Sequence, residues 1–310
     1  MRIVFAGTPE PAVVALEALL KSKHEVVAVL TRPDAPKGRG RTLHPSPVKQ
    51  VALEHGIEVL EPTTLRDNEE IANRLRELAP HAIPVVAYGN LVPASLLDLP
   101  HHGWVNLHFS LLPDFRGAAP VQAAILAGLT TTGATTFRID EGLDTGPILA
   151  TLEETITPTD TADDLLTRLA YKGADLLVET MDGLEANSIV ARTQPADGTY
   201  APKIQSKDAR IRWDFDADVV ERTIRAYTPG PGAWTMLGEQ RFKIGPVTLS
   251  DSNTLGAGEV AVEKNRVRVG TGSVDVILQE IQPPGKKRMA ADAWGRGLST
   301  EFVEAGVKFA

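Results

Sequence analysis

Short apolar runs alternate with longer amphipathic stretches from residue 2 to about residue 185. Residues 2–6 (Arg-Ile-Val-Phe-Ala) read as a buried strand. Gly7-Thr8-Pro9 then turns the chain into a helix, with Thr8 as N-cap and Pro9 at the first helical position. Ala12 to Leu20 continues that helix, and Glu25 to Leu30 is a second strand, completing a βαβ unit. The alternation continues through helix Ser46 to His55, strand Glu58 to Leu60, helix Asn68 to Leu78, and strands Ala82 to Ala87 and Gly103 to His108. Helix Ala119 to Gly128, strands Ala134 to Ile139 and Ile148 to Glu154, and helix Thr161 to Leu184 follow. A wholly apolar run such as Ala82 to Ala87 marks a central parallel strand buried on both faces. Pro84 within it predicts a local bulge or an edge. The pattern predicts an α/β, doubly wound, mostly parallel sheet of Rossmann-like type.

After Asp216 the texture changes. A helix over Ala217 to Ala226 precedes Thr228-Pro-Gly-Pro-Gly232. The runs 233–237, 240–244, 247–249, 258–262, 266–270 and 273–281 then predict a small C-terminal β-barrel of oligonucleotide-binding type. Residues 186–209 are polar and irregular, with Gln194-Pro195-Ala-Asp-Gly198 as a turn signal. The expected division is a catalytic domain over 1–188, a linker over 189–209 and a barrel over 210–310.

Composition narrows the class. A chain of 310 residues fits two domains, and 43% hydrophobic with 23% charged residues is ordinary for a soluble protein. The absence of cysteine excludes disulfides, thiolate metal sites and a cysteine nucleophile. The opening enters a strand at once, leaving no room for a signal peptide. The uncharged run 117–137 is broken by Pro120, Gly128 and Gly133, so no membrane span is expected and the cytoplasm is the expected location.

Net charge is −8, but residues 1–206 carry −9 and residues 207–310 carry +1. Basic residues cluster at Arg32, Lys37, Arg39, Arg41 and Lys49, at Lys264, Arg266 and Arg268, and at Lys286, Lys287 and Arg288. One such cluster is ordinary solvated surface. Three on an acidic protein suggest steering of a polyanion, since local potential acts whatever the net charge.

Two blocks carry the candidate chemistry: Asn106-Leu-His108-Phe-Ser110-Leu-Leu-Pro113-Asp-Phe-Arg116-Gly117-Ala-Ala-Pro120, and Asp140-Glu-Gly142-Leu-Asp144-Thr-Gly146-Pro147. Asn106 and His108 are two apart, so on a strand both face one side. An amide donates to a developing oxyanion, an imidazole moves a proton, and a carboxylate orients the imidazole. That equipment suits acyl or formyl transfer to an amine without a covalent enzyme intermediate. Other readings fall away. Gly7-Thr-Pro-Glu lacks G-x-G-x-x-G, so a dinucleotide is not implied. Ser110 has no G-x-S-x-G elbow, and His101-His102 has no metal-ligand spacing. Val85 to Pro93 is either a plain strand end or the lip of a ligand crevice. Pro36 to Arg41 is a glycine-hinged basic loop suited to phosphate.

On these residues the chain resembles the folate-dependent formyltransferase family. The N-x-H…S-L-L-P…R-G-A-A-P and D-x-G-L-D-T-G-P blocks mark the family. The opening I-V-F-A-G-T-P, the basic G-R-G loop followed by Pro45-Ser-Pro47-Val-Lys49, the V-A-Y-G loop and the tail Gln282-Pro-Pro-Gly285-Lys-Lys-Arg-Met resemble the members that act on charged tRNA. The resemblance implies Asn106, His108 and Asp144 as catalytic residues. Asn106 and His108 would stabilise the oxyanion, and His108, oriented by Asp144, would take or relay the proton. It implies a folate pocket walled by Tyr88, Gly89, Asn90, Leu91 and Val92, by Ser110, Leu111, Leu112 and Pro113, and by Glu141, Gly142 and Leu143. Lys37, Arg39 and Arg41, with Lys286, Lys287 and Arg288, would meet tRNA. The implied co-substrate is 10-formyltetrahydrofolate and the implied partner initiator methionyl-tRNA, with no metal, no membrane and a monomeric chain. Phe109, beside the catalytic histidine, is a small departure. Alternatives are formylation of a small amine, hydrolysis of the formyl donor, and an idle tRNA-binding module.

Overall fold

Seven strands form one sheet in the order Ile148–Thr155, Thr131–Arg138, Trp104–His108, Ile83–Val86, Arg2–Gly7, Glu25–Leu30, Glu58–Leu60. This computed structural model describes residues 1–37, 42–304 and 306–310, with the side chains of Lys37 and Phe302 excluded. From Trp104–His108 to Glu58–Leu60 the pairing is parallel. Thr131–Arg138 runs antiparallel to both its neighbours. Helices Glu10–Lys21, Pro47–Glu54, Glu69–Leu78 and Ala162–Glu185 supply crossovers and cover. The sequence dictates these locally. Asn68 caps its helix by accepting the Ile71 N–H at 3.1 Å. Ala72, Leu75 and Leu78 then fall on one buried face. They share a cluster with Val4, Ala6, Leu30, Ile83, Val85 and Trp104 from the strands.

Three expectations change. Pro9, not Thr8, is the N-cap residue, and the helix begins at Glu10. The Thr8 hydroxyl instead donates to the Tyr88 carbonyl at 2.9 Å, tying two strand ends together. Pro84 lies in the fourth of seven strands, neither at an edge nor in a bulge. Its missing N–H is tolerated because pairing with Arg2–Gly7 skips it, touching at Ala82, Val85 and Val86. The basic segment contains a small hairpin, Ala35–Lys37 with Thr42–His44, that no hydrophobic alternation announces. Arg39, Arg41 and the Lys37 side chain lie outside the described residues.

The sheet belongs to a unit comprising Met1–Pro120, Thr131–Thr155 and Leu166–Ala201. Much of the stretch expected to be a linker is built into it: Arg192 bridges to Ile148, and Tyr200–Ala201 pairs with Arg116–Gly117.

The second unit comprises Val121–Thr130, Ile156–Leu165 and Pro202–Ala310. It holds two antiparallel sheets. One orders Trp234–Leu237, Gln240–Ile244, Glu280–Gln282 and Met289–Ala290. The other orders Val247–Leu249, Val276–Leu278, Arg266–Val269, Glu259–Glu263 and Val307–Lys308. The run 273–281 is therefore not one strand. It breaks at Gln279, and its halves join different sheets. Phe309 stacks between Trp213 and Trp294, with ring centres 5.8 and 6.0 Å away, in the core of this unit. Among the described residues no helix is long and apolar enough to cross a membrane.

Candidate active site

The strand Trp104–His108 pairs Asn106 with Val85 on one side and Phe137 on the other. Strand alternation puts Asn106 and His108 on the same face. Past His108 the chain enters a tight turn. Ser110 is fully buried, and its hydroxyl donates to the Asp114 carbonyl at 2.6 Å. Thr135 donates to the Ser110 carbonyl at 2.7 Å and accepts the Leu112 N–H at 3.2 Å. Ser110 thus builds the turn rather than serving as a nucleophile. The turn brings the Phe115 carbonyl to 2.9 Å from Nε2 of His108.

Asp144 arrives by a longer route. Its loop leaves Thr131–Arg138 beside Trp104, where the Ile139 N–H donates to the Trp104 carbonyl at 2.8 Å. The loop then returns so that Oδ2 of Asp144 lies 3.8 Å from Nδ1 of His108. The same Oδ2 accepts the Gly117 N–H at 2.7 Å. Gly117 has φ 109°, and a Cβ there would meet the Ala201 carbonyl at 2.8 Å, so only glycine brings its N–H to this place.

This geometry assigns the protons on His108. A carbonyl only accepts, so Nε2 carries hydrogen, and in the neutral ring Nδ1 offers its lone pair. Burial pushes the imidazole below its ordinary value, outweighing the upward pull of Asp144 and of the Phe115 carbonyl. A neutral ring with a free Nδ1 facing a carboxylate is equipped to take a proton there. The sequence reading expected Asp144 to orient the ring. The Phe115 carbonyl does so instead, because 3.8 Å is too long for a hydrogen bond. Asp144 acts on His108 through its charge.

The loops expected to wall a ligand site are rooted near this point. Tyr88, Val92 and Ile139 share the main apolar cluster, while Leu112 packs with Phe137, Ile148 and Ile139. Arg32 donates to the Gly89 carbonyl at 3.1 Å and to Oδ1 of Asn90 at 2.6 Å, fixing the first loop. Asp140 closes the second by accepting the Gly142 N–H at 3.0 Å and the Thr145 hydroxyl at 2.8 Å. Leu91 and Leu143 are 80% and 54% exposed, an apolar presentation that suits the face of a ring. Glu141 and Gly142 are also exposed; Leu111 and Pro113 are half-buried in the turn after Ser110.

Sequence reasoning missed Gln194. Read only as part of a linker, it is buried, and its amide donates to the carbonyls of Asp144 at 2.9 Å and Gly146 at 2.7 Å. Arg116, quoted only as a motif letter, is 2% exposed and donates to Oε1 of Gln194. Residues 192–201 carry a turn signal but no apolar run, and nothing local marks contacts some fifty positions away.

Several of the basic residues are engaged internally. Lys49 pairs with Asp34 at 2.7 Å and Glu61 at 2.9 Å. Arg266 and Arg268 pair with Glu263, and Arg268 also with Asp275. Arg288 reaches Glu280 at 3.4 Å, whereas Lys286 and Lys287 are exposed in the second unit. Among the described residues one group offers metal-ligand chemistry: His24, Asp182 and Glu185. Lys23 and the Met1 ammonium already neutralise it, at 3.1 Å from Asp182 and 2.7 Å from Glu185 respectively.

Comparison with known proteins places this geometry in context. A family model described as formyl transferase matches residues 1–181, and one described as formyl transferase, C-terminal domain, matches residues 203–299. A Corynebacterium aurimucosum protein named methionyl-tRNA formyltransferase is 65% identical, covering 98% of this chain and 97% of its own. The crystal structure of an N-formyltransferase from Helicobacter canadensis, in complex with folinic acid and dTDP-3-aminofucose, superposes with TM-score 0.68 at 21% identity, over 91% of this chain and 98% of its own. A methionyl-tRNA formyltransferase from Clostridium thermocellum superposes with TM-score 0.57 at 17% identity, over 81% and 94%. At such identities the two structures speak for the fold alone.

Proposed function

This chain belongs to the formyl transferase family, and we propose that it transfers the formyl group of 10-formyltetrahydrofolate to the α-amine of initiator methionyl-tRNA. The product is N-formylmethionyl-tRNA for translation initiation, and that substrate places the protein in the cytoplasm. The observation that carries the chemistry is the placement of His108, with Nε2 on the Phe115 carbonyl at 2.9 Å and Nδ1 3.8 Å from Asp144, on the face it shares with Asn106.

The folate co-substrate fits the residues present. Gly89 to Val92, Leu111 to Pro113 and Glu141 to Leu143 would hold it, with exposed Leu91 and Leu143 offered to its ring system and buried Tyr88 and Ser110 supporting the loops from beneath. When bound, it supplies the formyl carbon. The Asn106 amide donates to the oxygen on which charge develops, a role worth roughly 2.7–4 kcal/mol for one preorganised donor. Nδ1 of His108 takes the amine proton as the amine nitrogen bonds the formyl carbon, and the Asp144 charge stabilises the resulting imidazolium. His108 returns the proton to the folate nitrogen as its bond to the formyl carbon breaks and tetrahydrofolate leaves. An α-amine titrates at about 7.7–8.0 and lower when the adjoining carboxyl is esterified, so neutral amine is present near pH 7. No step calls on a metal.

The second unit gives the reading its macromolecular side. We assign the catalysis to the unit that holds the seven-stranded sheet, with residues 189–201 built into it, and an oligonucleotide-binding type of barrel to residues 210–310. Lys286 and Lys287, with Arg288, Lys37, Arg39 and Arg41, are offered to tRNA phosphates, and the chain acts as a monomer. Formyl transfer to methionyl-tRNA, to small amines and to water, measured side by side with the full chain, tests the reading. Formyl should appear on the tRNA alone and vanish with His108→Ala. Equal transfer to a small amine, or release of formate, would refute it.

A further inference from the structure

Both partners of His108 are held by one short segment that carries none of the chemistry. Thr199 accepts the Phe115 N–H on its hydroxyl at 2.8 Å and the Arg116 N–H on its carbonyl at 2.8 Å. Ala201 accepts the Ala118 N–H at 2.8 Å. These bonds fix the peptide whose carbonyl orients the imidazole. Five residues upstream, Gln194 grips the other side. Its two amide hydrogens go to the carbonyls of Asp144 and Gly146, at 2.9 and 2.7 Å. Its oxygen takes Nε and Nη2 of Arg116 at 3.3 and 3.0 Å. The guanidinium fixes the amide's sense, because a flipped amide would set donor against donor.

The clamp acts where the backbone needs support. Asp144 has φ 54° and Phe115 φ 56°, left-handed values that residues other than glycine hold only when their surroundings impose them. We propose that Gln194, locked by Arg116, is a positioning residue for formyl transfer: it sets where the Asp144 carboxylate stands relative to Nδ1 of His108. The proposal rests on the reading of His108 and Asp144 given above. It assigns catalytic weight to the stretch 192–201, which lies beyond both chemistry-bearing motifs. Misplacing a reacting group by about 1 Å typically lowers rate about 10²-fold, so a clamp on this loop acts on turnover before it acts on binding.

The test uses Gln194→Glu in the full chain, with Gln194→Met as second variant and His108→Ala in parallel. Glutamate keeps the length and the Arg116 partner but removes both donors. Among the described residues, the Asp144 carboxylate, the Phe115 carbonyl and the Phe137 ring face His108. Only Asp144 among them carries charge, and it raises the imidazole. In Gln194→Met, which removes both donors without adding a charge, loosening Asp144 should move the acid limb of the kcat profile to lower pH, which a loss of packing would not do. We expect kcat to fall about 10- to 100-fold, with KM for folate and tRNA within about 3-fold of the parent and the urea midpoint retained. Unchanged kcat, a fall confined to KM, an unmoved acid limb in Gln194→Met, or loss of folding in both variants would overturn the proposal. If His108→Ala also transfers formyl normally, the site reading itself fails. If His108→Ala is dead and the Gln194 variants are normal, only this inference fails.

Discussion

Nε2 of His108 donates to the carbonyl oxygen of Phe115 at 2.9 Å. That single bond decides which nitrogen does the chemistry. It keeps hydrogen on Nε2 and turns the Nδ1 lone pair toward Asp144, whose Oδ2 is in turn held by the Gly117 N–H. Histidine and carboxylate are thus each positioned by a backbone group of the same turn, Phe115 to Gly117. Their mutual interaction remains purely electrostatic.

The pH dependence of turnover should show this. Burial holds His108 below 6.5, so the base stays neutral at lower pH than an exposed histidine would. Activity should rise with an acid-limb midpoint below 6.5, and a midpoint above it would contradict the buried neutral ring. Asp144→Asn keeps an oxygen for the Gly117 N–H but removes the charge that pulls His108 upward. In that variant turnover should fall about 10- to 100-fold and the limb should move further toward acid. Steady-state rates from pH 5 to 9 would check both.

Stability should follow the same sign. His24, His102 and His108 are all held below their ordinary value, with burial the largest cause each time. The unfolded chain therefore binds protons at these positions that the folded chain refuses. Their contribution is present above about pH 6.5 and is lost as pH falls toward the folded values. Urea midpoints at pH 7.5 and 5.5 test it. A midpoint that rises or stays level at pH 5.5 would show that the buried rings are not what titrates.

What the sequence showed and what it hid divide along the range of the interactions. The strands 240–244 and 247–249 and the helix 217–226 are read to the residue, because apolar periodicity and turn chemistry are local. The shared face of Asn106 and His108 follows from strand alternation alone. The hairpin at Ala35–Lys37 was illegible because its partner strand Thr42–His44 is fully exposed and carries no buried-face pattern. Helix Ala291–Arg296 was hidden by its shortness and two glycines nearby. Thr8 was read as a cap from its position, but Tyr88, eighty residues away, claims its hydroxyl. Gln194 and the Phe115 carbonyl are the extreme cases. One acts across fifty residues, and the other is a backbone atom with no letter in the sequence.

The Asp144 loop should also answer to a glycine that touches no substrate. A Cβ at Gly146 would sit on the Arg138 carbonyl oxygen and within 3.3 Å of the Asp140 nitrogen. Backbone cannot step aside as a side chain can, so Gly146→Ala should displace the loop. Turnover is expected to fall about 10- to 100-fold, with the circular dichroism spectrum unchanged. Gly256→Ala serves as control, since its Cβ would meet only the Glu259 carboxylate at 3.3 Å. Equal activity of the two variants would show that the loop tolerates the shift.

The lysine pair of the second unit gives a prediction about tRNA rather than chemistry. Lys286 and Lys287 sit in a turn closed by the Lys286 N–H to the Pro283 carbonyl at 3.1 Å and by Gln282 to the Lys286 carbonyl at 3.0 Å. Both are exposed, while Arg288 divides its guanidinium between solvent and Glu280. The two lysines should therefore carry most of this cluster's attraction for phosphate. Each lost phosphate contact should reduce the steepness of log affinity against log salt by roughly 0.7–0.9. The double variant Lys286→Ala/Lys287→Ala should bind methionyl-tRNA more weakly and with a slope shallower by up to about 1.4–1.8. Folate binding and the urea midpoint should hold, because the changed side chains are solvated and remote in sequence from the folate loops. Titrations at four or five potassium chloride concentrations give the slope directly. A slope equal to that of the parent chain would mean that these lysines meet no phosphate, leaving Lys37, Arg39 and Arg41 as the basic group to examine next.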